Sequence, residues 1–148
     1  TLLQLKQEIS RLTLRERRDL NAYMIRLRHE RPEWKKMVSR RMRDMDGGRK
    51  VSLAELGVES HLVAKPGYEP VFAEEAAEFL LRLPKRRQRQ VVALAKQLAD
   101  HPFVRSDYSI PEESGRTIEF LMIEDYVFAY WLDHGEREIR ITDIDDAS

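Results

Sequence analysis

The formal charge of this 148-residue chain sums to zero, but it is divided: Thr1 to Leu56 carries 15 Lys and Arg against 8 Asp and Glu, and Gly57 to Ser148 carries 11 against 18. The two parts stand at +7 and −7. Opposite fields of this size draw surfaces together and set their register. The chain is therefore expected to fold as two modules, one docked on the other. The first 56 residues point the same way, because a segment that short buries too little apolar area to offset its own chain entropy.

With no cysteine, disulfides and thiolate metal sites are excluded, and the reducing cytoplasm is the expected compartment. No apolar run approaches the roughly 20 residues of a membrane span, and the start does not read as a signal peptide. A soluble protein with no membrane partner is expected.

Leu2, Leu3, Leu5, Ile9 and Leu12 recur at helical spacing. Thr13-Leu14-Arg15-Glu16 is a capping box that opens a second helix. That helix carries Leu20, Tyr23, Met24 and Leu27 at i, i+3, i+4 and i+7. Pro32 suits the first turn of a third helix, whose apolar face is Trp34, Met37, Val38, Met42 and Met45 and whose stop is Gly47-Gly48. Ser52-Leu53-Ala54-Glu55 repeats the capping pattern, with room for little more than a turn before Gly57. The segment 1–56 reads as all helix.

Residues 57–67 lack a sustained period and read as a linker. The remainder, 68–148, changes character. A strand is expected over Tyr68–Phe72, helices over Glu74–Leu83 and Lys85–Asp100, an irregular stretch around Phe103–Gly115, and strands over Thr117–Ile123, Tyr126–Asp133 and Glu138–Ile144. The fold class is α+β: an N-terminal helical segment, then a β-α-α-β-β-β domain with an antiparallel sheet. The turns fall at Glu124-Asp125 and His134-Gly135, and only the second offers a residue suited to a primed hairpin turn.

This order, the Gly115-Arg116 start of a strand and the run from Glu124 to Trp131 resemble the RelE/ParE superfamily of bacterial type II toxins over about Tyr68 to Asp146. Leu14 to Leu27, Pro32-Glu33-Trp34 and Ser52 to Leu56 resemble the small helical antitoxins that accompany such toxins, here in the same chain. The resemblance implies a toxin–antitoxin contact, intramolecular or swapped between chains, and a homodimer, since antitoxin helices often pair. It further implies ribosome-dependent cleavage of mRNA, topoisomerase inhibition or operator-DNA autorepression as activities. Ribonuclease members are implied to use basic residues on the sheet. At the corresponding places this chain has Val127 and the acidic run Thr142 to Asp146. From Asp100 onward, 4 basic residues face 13 acidic ones, a field that repels phosphate. RNA cleavage is expected to be weak or absent, and whether the chain is an enzyme stays open.

Arg105, Arg116, Tyr126 and His134 are the groups left to converge on an open sheet face: His for proton transfer, Arg for a phosphate in transition. The alternative for each is ordinary packing or exposure. Lys85, Arg86, Arg87 and Arg89 begin a helix and either contact a nucleic acid backbone or form a solvated face. Leu20, Tyr23, Leu27, Trp34, Met37 and Met42 are the candidate interface of the helical segment with the toxin-like domain. His29, His61, His101 and His134 lack the spacing of a zinc site, and Asp143, Asp145 and Asp146 read as a solvated end. Neither metal nor cofactor is expected.

Overall fold

The computed structural model describes residues 1–57 and 67–148. Most of the expected linker, residues 58–66, lies outside the described residues.

Three helices come first: α1 (Leu2–Ser10), α2 (Leu14–His29) and α3 (Pro32–Asp46). Thr13 caps α2 by accepting from the Glu16 N–H at 3.2 Å, and the Glu16 carboxylate returns a bond to the Thr13 N–H at 2.9 Å. Beyond α3, Gly48 takes φ +96°, a conformation open to glycine, and turns the chain. Val51–Ser52 then forms a short strand, β1. The segment is therefore not all helix: two residues are too few for a period, and their pairing is decided by the neighbouring strand.

That neighbour is β2 (Glu69–Phe72), followed by α4 (Glu74–Arg82), α5 (Lys85–Asp100), β3 (Tyr108–Pro111), β4 (Thr117–Ile123), β5 (Tyr126–Asp133) and β6 (Glu138–Asp146). The sheet order is β1-β2-β6-β5-β4-β3. The β3-β4-β5-β6 meander is antiparallel, β2 joins β6 in parallel, and β1 lies antiparallel to β2. β3 occupies the stretch expected to be irregular; it is an edge strand, where Pro111 removes no ladder bond the sheet needs. The first turn falls at Glu124-Asp125 as expected, and the second extends over residues 134–137. Glu124 and Arg137 hold the positive φ of 53° at the two hairpins, while Gly135 does not.

β5 is buried from Tyr126 through Trp131 without alternation, the pattern of a strand covered on both faces. Tyr126, Phe128 and Tyr130 face α4 and α5 with Ile139, Ile141 and Leu80. On the opposite face Ala129 and Trp131, with Ile118 and Phe120 of β4, meet Trp34, Val38, Met42 and Met45 of α3. The helical segment is thus one outer layer of a three-layer structure.

Candidate functional site

The arrangement is set by one irregularity in β6. Ala129 pairs with Asp143 but Tyr130 pairs with Ile141, so Thr142 is an extra residue, and its hydroxyl donates to the Ala129 carbonyl at 3.2 Å. A bulge of this kind inverts the alternation beyond it. Ile139, Ile141 and Ile144 remain on the α4/α5 side, while Asp143 and Asp145 turn with Arg140 towards the helical segment. Two of the three acidic residues expected at a solvated end are not solvated: Asp143 keeps 16% of its side chain exposed and Asp145 26%, while Asp146 is exposed.

α3 presents Trp34, Val38, Met42 and Met45 as a single stripe, all buried against the sheet. Each such side chain contributes about 1.5–3 kcal/mol relative to exposure. α2 contributes Ile25, which packs on Val127 and Ala147, and His29, which is fully buried. The His29 ring lies between Trp34 and Phe120, with centroids 4.3 and 4.7 Å away. Its Nδ1 is 3.0 Å from the Tyr108 hydroxyl and its Nε2 is 3.1 Å from Asp145 Oδ2.

Around this apolar contact the divided charge is matched. Arg18 meets Asp125 at 2.7 Å, Arg28 meets Asp145 at 3.0 Å and Lys50 meets Glu138 at 2.7 Å. Arg41 pairs with Asp143 and lies 3.7 Å from Glu75. The more exposed pairs, Arg18–Asp125 and Arg28–Asp145, contribute little each, so they set register more than they hold the segment to the sheet. The Arg41–Asp143 pair is different because it is desolvated. Burial pushes the Asp143 carboxyl up to about 6 against the opposing pull of Arg41, and Asp143 Oδ2 has no hydrogen-bond partner.

One crossing runs the other way. Asp46, at the end of α3, accepts from both Arg116 and Arg140 at 3.0 Å, and the two guanidinium groups lie 5.2 and 5.5 Å from the Trp131 ring. Arg140 also meets Asp133 and Glu138 at 3.0 Å each.

The four expected catalytic residues are not brought together. Arg116 lies on the covered face, whereas Tyr126 packs on the α4/α5 side with its hydroxyl unpartnered. His134 is exposed in the β5–β6 loop, 2.6 Å from the Tyr68 hydroxyl, and Arg105 is exposed. Of the basic cluster on α5, Lys85, Arg86 and Arg89 are exposed, while Arg87 is committed to Asp146 at 3.1 Å.

Of the expected interface, Trp34 and Met42 are buried and Met37 is partly so. Leu20 is half-buried, but Tyr23 and Leu27 face solvent. α2 meets the sheet through Ala22, Ile25 and His29, a narrower face than the leucine stripe that dominates its sequence. Reading by residue type missed His29, Arg41, Asp143 and Asp145; the available signal was the pair of Asp at alternate positions in an apolar strand opposite a basic segment. Among the described residues no cluster of His, Asp or Glu is arranged to hold a metal ion, and no helix is long and apolar enough to cross a membrane.

No family model matches the sequence, and no curated protein does. Among solved structures, the chain is similar to the archaeal RelE–RelB complex from Pyrococcus horikoshii, at 17% identity over 55% of this chain and 96% of that one, TM-score 0.44. It is likewise similar to the RelBE2 toxin–antitoxin complex from Mycobacterium tuberculosis, at 23% identity over 54% of this chain and 98% of that one, TM-score 0.46.

Proposed function

We propose that this chain is a toxin–antitoxin unit in one polypeptide, in which the helical segment neutralises a RelE/ParE-like domain by occluding its sheet. The observation that carries this reading is the α3 stripe, with Trp34, Val38, Met42 and Met45 buried on the face opposite α4 and α5. A covalent tether places the segment at an effective concentration of about millimolar, so the covered face stays covered. The test is growth of bacteria expressing residues 67–148 with and without residues 1–57. Arrest that residues 1–57 relieve supports the reading. A folded, soluble 67–148 that leaves growth unchanged refutes the toxin, and arrest that 1–57 does not relieve refutes the neutralisation.

A second reading, a latent endoribonuclease, is favoured by the placement of Asp46. Its carboxylate sits between Arg116 and Arg140, where an anionic phosphate would sit once the segment leaves. Asp133 and Glu138 stay beside Arg140 when Asp46 leaves, so the vacated site is less cationic than phosphate chemistry favours. Cleavage of translated mRNA by 67–148, lowered roughly 100-fold by Arg116→Ala, would establish this activity. Cleavage that survives loss of Arg116 and Arg140 would place the chemistry elsewhere.

A further inference from the structure

Three aromatic rings from separate segments meet at the surface. Tyr68 precedes β2, Phe103 lies in the link between α5 and β3, and His134 is in the β5–β6 turn. Their centroids stand 5.9, 5.9 and 6.1 Å apart, a nearly equilateral triangle. Tyr68 meets Phe103 at 78° and His134 at 86°, so it covers neither face to face. Phe103 and His134 are parallel to within 14°, yet too far apart for their faces to overlap fully. The Tyr68 hydroxyl lies 2.6 Å from His134 Nδ1 and ties two of the rings together, while Tyr68 also packs on the core beneath α4 and α5. Phe103 is 74% exposed, which leaves the triangle open to solvent on its side.

The electrostatics of the chain indicate what such a triangle takes. The faces of Tyr and Phe rings carry negative charge density and attract a cation within about 6 Å of the centroid. Other rings of the chain are met by its own guanidinium groups: Arg26 lies 4.5 Å from the Tyr108 centroid, Arg87 5.5 Å from that of Tyr126 and Arg116 5.2 Å from that of Trp131. Among the described residues no cation lies over Tyr68, Phe103 or His134. Glu69 and Glu136, both exposed, border the rings in sequence, and the part of the chain from Gly57 onward stands at −7. That field draws in a cation and repels a phosphate.

We propose that Tyr68, Phe103 and His134 form an aromatic site for a small quaternary ammonium compound. A methylated ammonium about 3 Å outside the plane of the centroids is within about 5 Å of all of them, inside the reach of the contact. Its methyl groups need no hydrogen-bond acceptor, and the triangle offers little, since the Tyr68 hydroxyl and His134 Nδ1 already bond to each other. A nucleobase would also stack on such rings, but it would carry phosphate into the acidic field. Tyr68 packs on the α4 and α5 side of the sheet, opposite α3, so binding does not require the helical segment to move.

Choline is the probe, with dimethylbutanol as its uncharged carbon isostere. Titration of the full chain, followed by the proton resonance of the choline methyl groups, is expected to show an upfield shift from the ring currents and a dissociation constant of about 1–10 mM. The isostere keeps the shape and loses the charge, and it should bind at least ~10-fold more weakly. Phe103→Leu keeps apolar bulk and loses the ring, and it should weaken choline by a similar factor. Phe103→Trp should tighten it, because the indole face attracts cations most strongly. Since Phe103 is exposed, both variants are expected to unfold in urea at the wild-type midpoint. No choline shift up to ~100 mM, equal binding of the isostere, undiminished binding by Phe103→Leu, or adenosine monophosphate bound more tightly than choline would each overturn the proposal.

Discussion

Replacing Met42 by Ala isolates the contribution of the α3 stripe. The residue has no exposed surface and sits among Trp34, Val38, Met45, Phe120 and Trp131. Three side-chain heavy atoms are lost, and the rigid aromatic neighbours on the sheet allow little collapse. The cost is expected towards the middle of the 2–5 kcal/mol seen for buried Met or Leu truncations, about 3 kcal/mol. Because about 1.4 kcal/mol is tenfold in an equilibrium constant, the fraction of molecules with the segment lifted should rise roughly 100-fold. Limited proteolysis in residues 58–66 followed by size-exclusion at low concentration reads this as dissociation of the two fragments, and urea unfolding of the intact chain reads the total loss. Leu27→Ala, on the outward face of α2, is the control, expected within about 0.5 kcal/mol in dilute monomer. Equal losses from Met42→Ala and Leu27→Ala, or fragments as tightly held as before, would show that α3 does not anchor the segment.

Three further outcomes follow from the same contact. Asp143, raised by burial to about 6 from 3.8, destabilises the fold most when charged; its contribution improves as pH falls from 7 through 6 towards 4. Asp133, held low by the Glu136 N–H at 2.9 Å, loses its contribution only at more acidic pH. Urea melts should therefore show stability rising from pH 7 to 5, and Asp143→Asn should flatten that rise; a flat wild-type profile would refute it. His29→Ala empties the slot between Trp34 and Phe120 and strips Tyr108 and Asp145 of a partner, with an expected loss of about 3 kcal/mol by the same melts. Asp46→Asn should cost under about 1 kcal/mol, since Asp46 is well exposed. Residues 67–148, freed of α3 and Asp46, should take inorganic phosphate at Arg116 and Arg140, detectable by calorimetry and lost in Arg116→Ala; no phosphate binding would remove the latent-site reading.

Much was legible in the sequence because it rests on local chemistry. The capping box at Thr13, Pro32 at the start of α3, the Gly47-Gly48 stop and the bounds of α5 depend on neighbours a few residues away, and those interactions are present in any short window. The divided charge also announced that two parts would meet. What met what depended on packing. The run Tyr126 to Trp131 says that β5 is covered on both faces, but not by which helices. Residue type on α2 favours the stripe of Leu20, Tyr23, Met24 and Leu27, whereas the sheet accepts the narrower face of Ala22, Ile25 and His29, because shape complementarity is settled between elements far apart in sequence. Nor does any short window reveal that Thr142 is an extra residue in β6. That one insertion reverses the alternation, carrying Asp143 and Asp145 out of the apparent solvated tail to Arg41 and His29. The sequence by itself determined the elements and the sign of the attraction; the tertiary structure decided the faces, because the side a residue presents in a sheet is set by register with another strand and not by the residue itself.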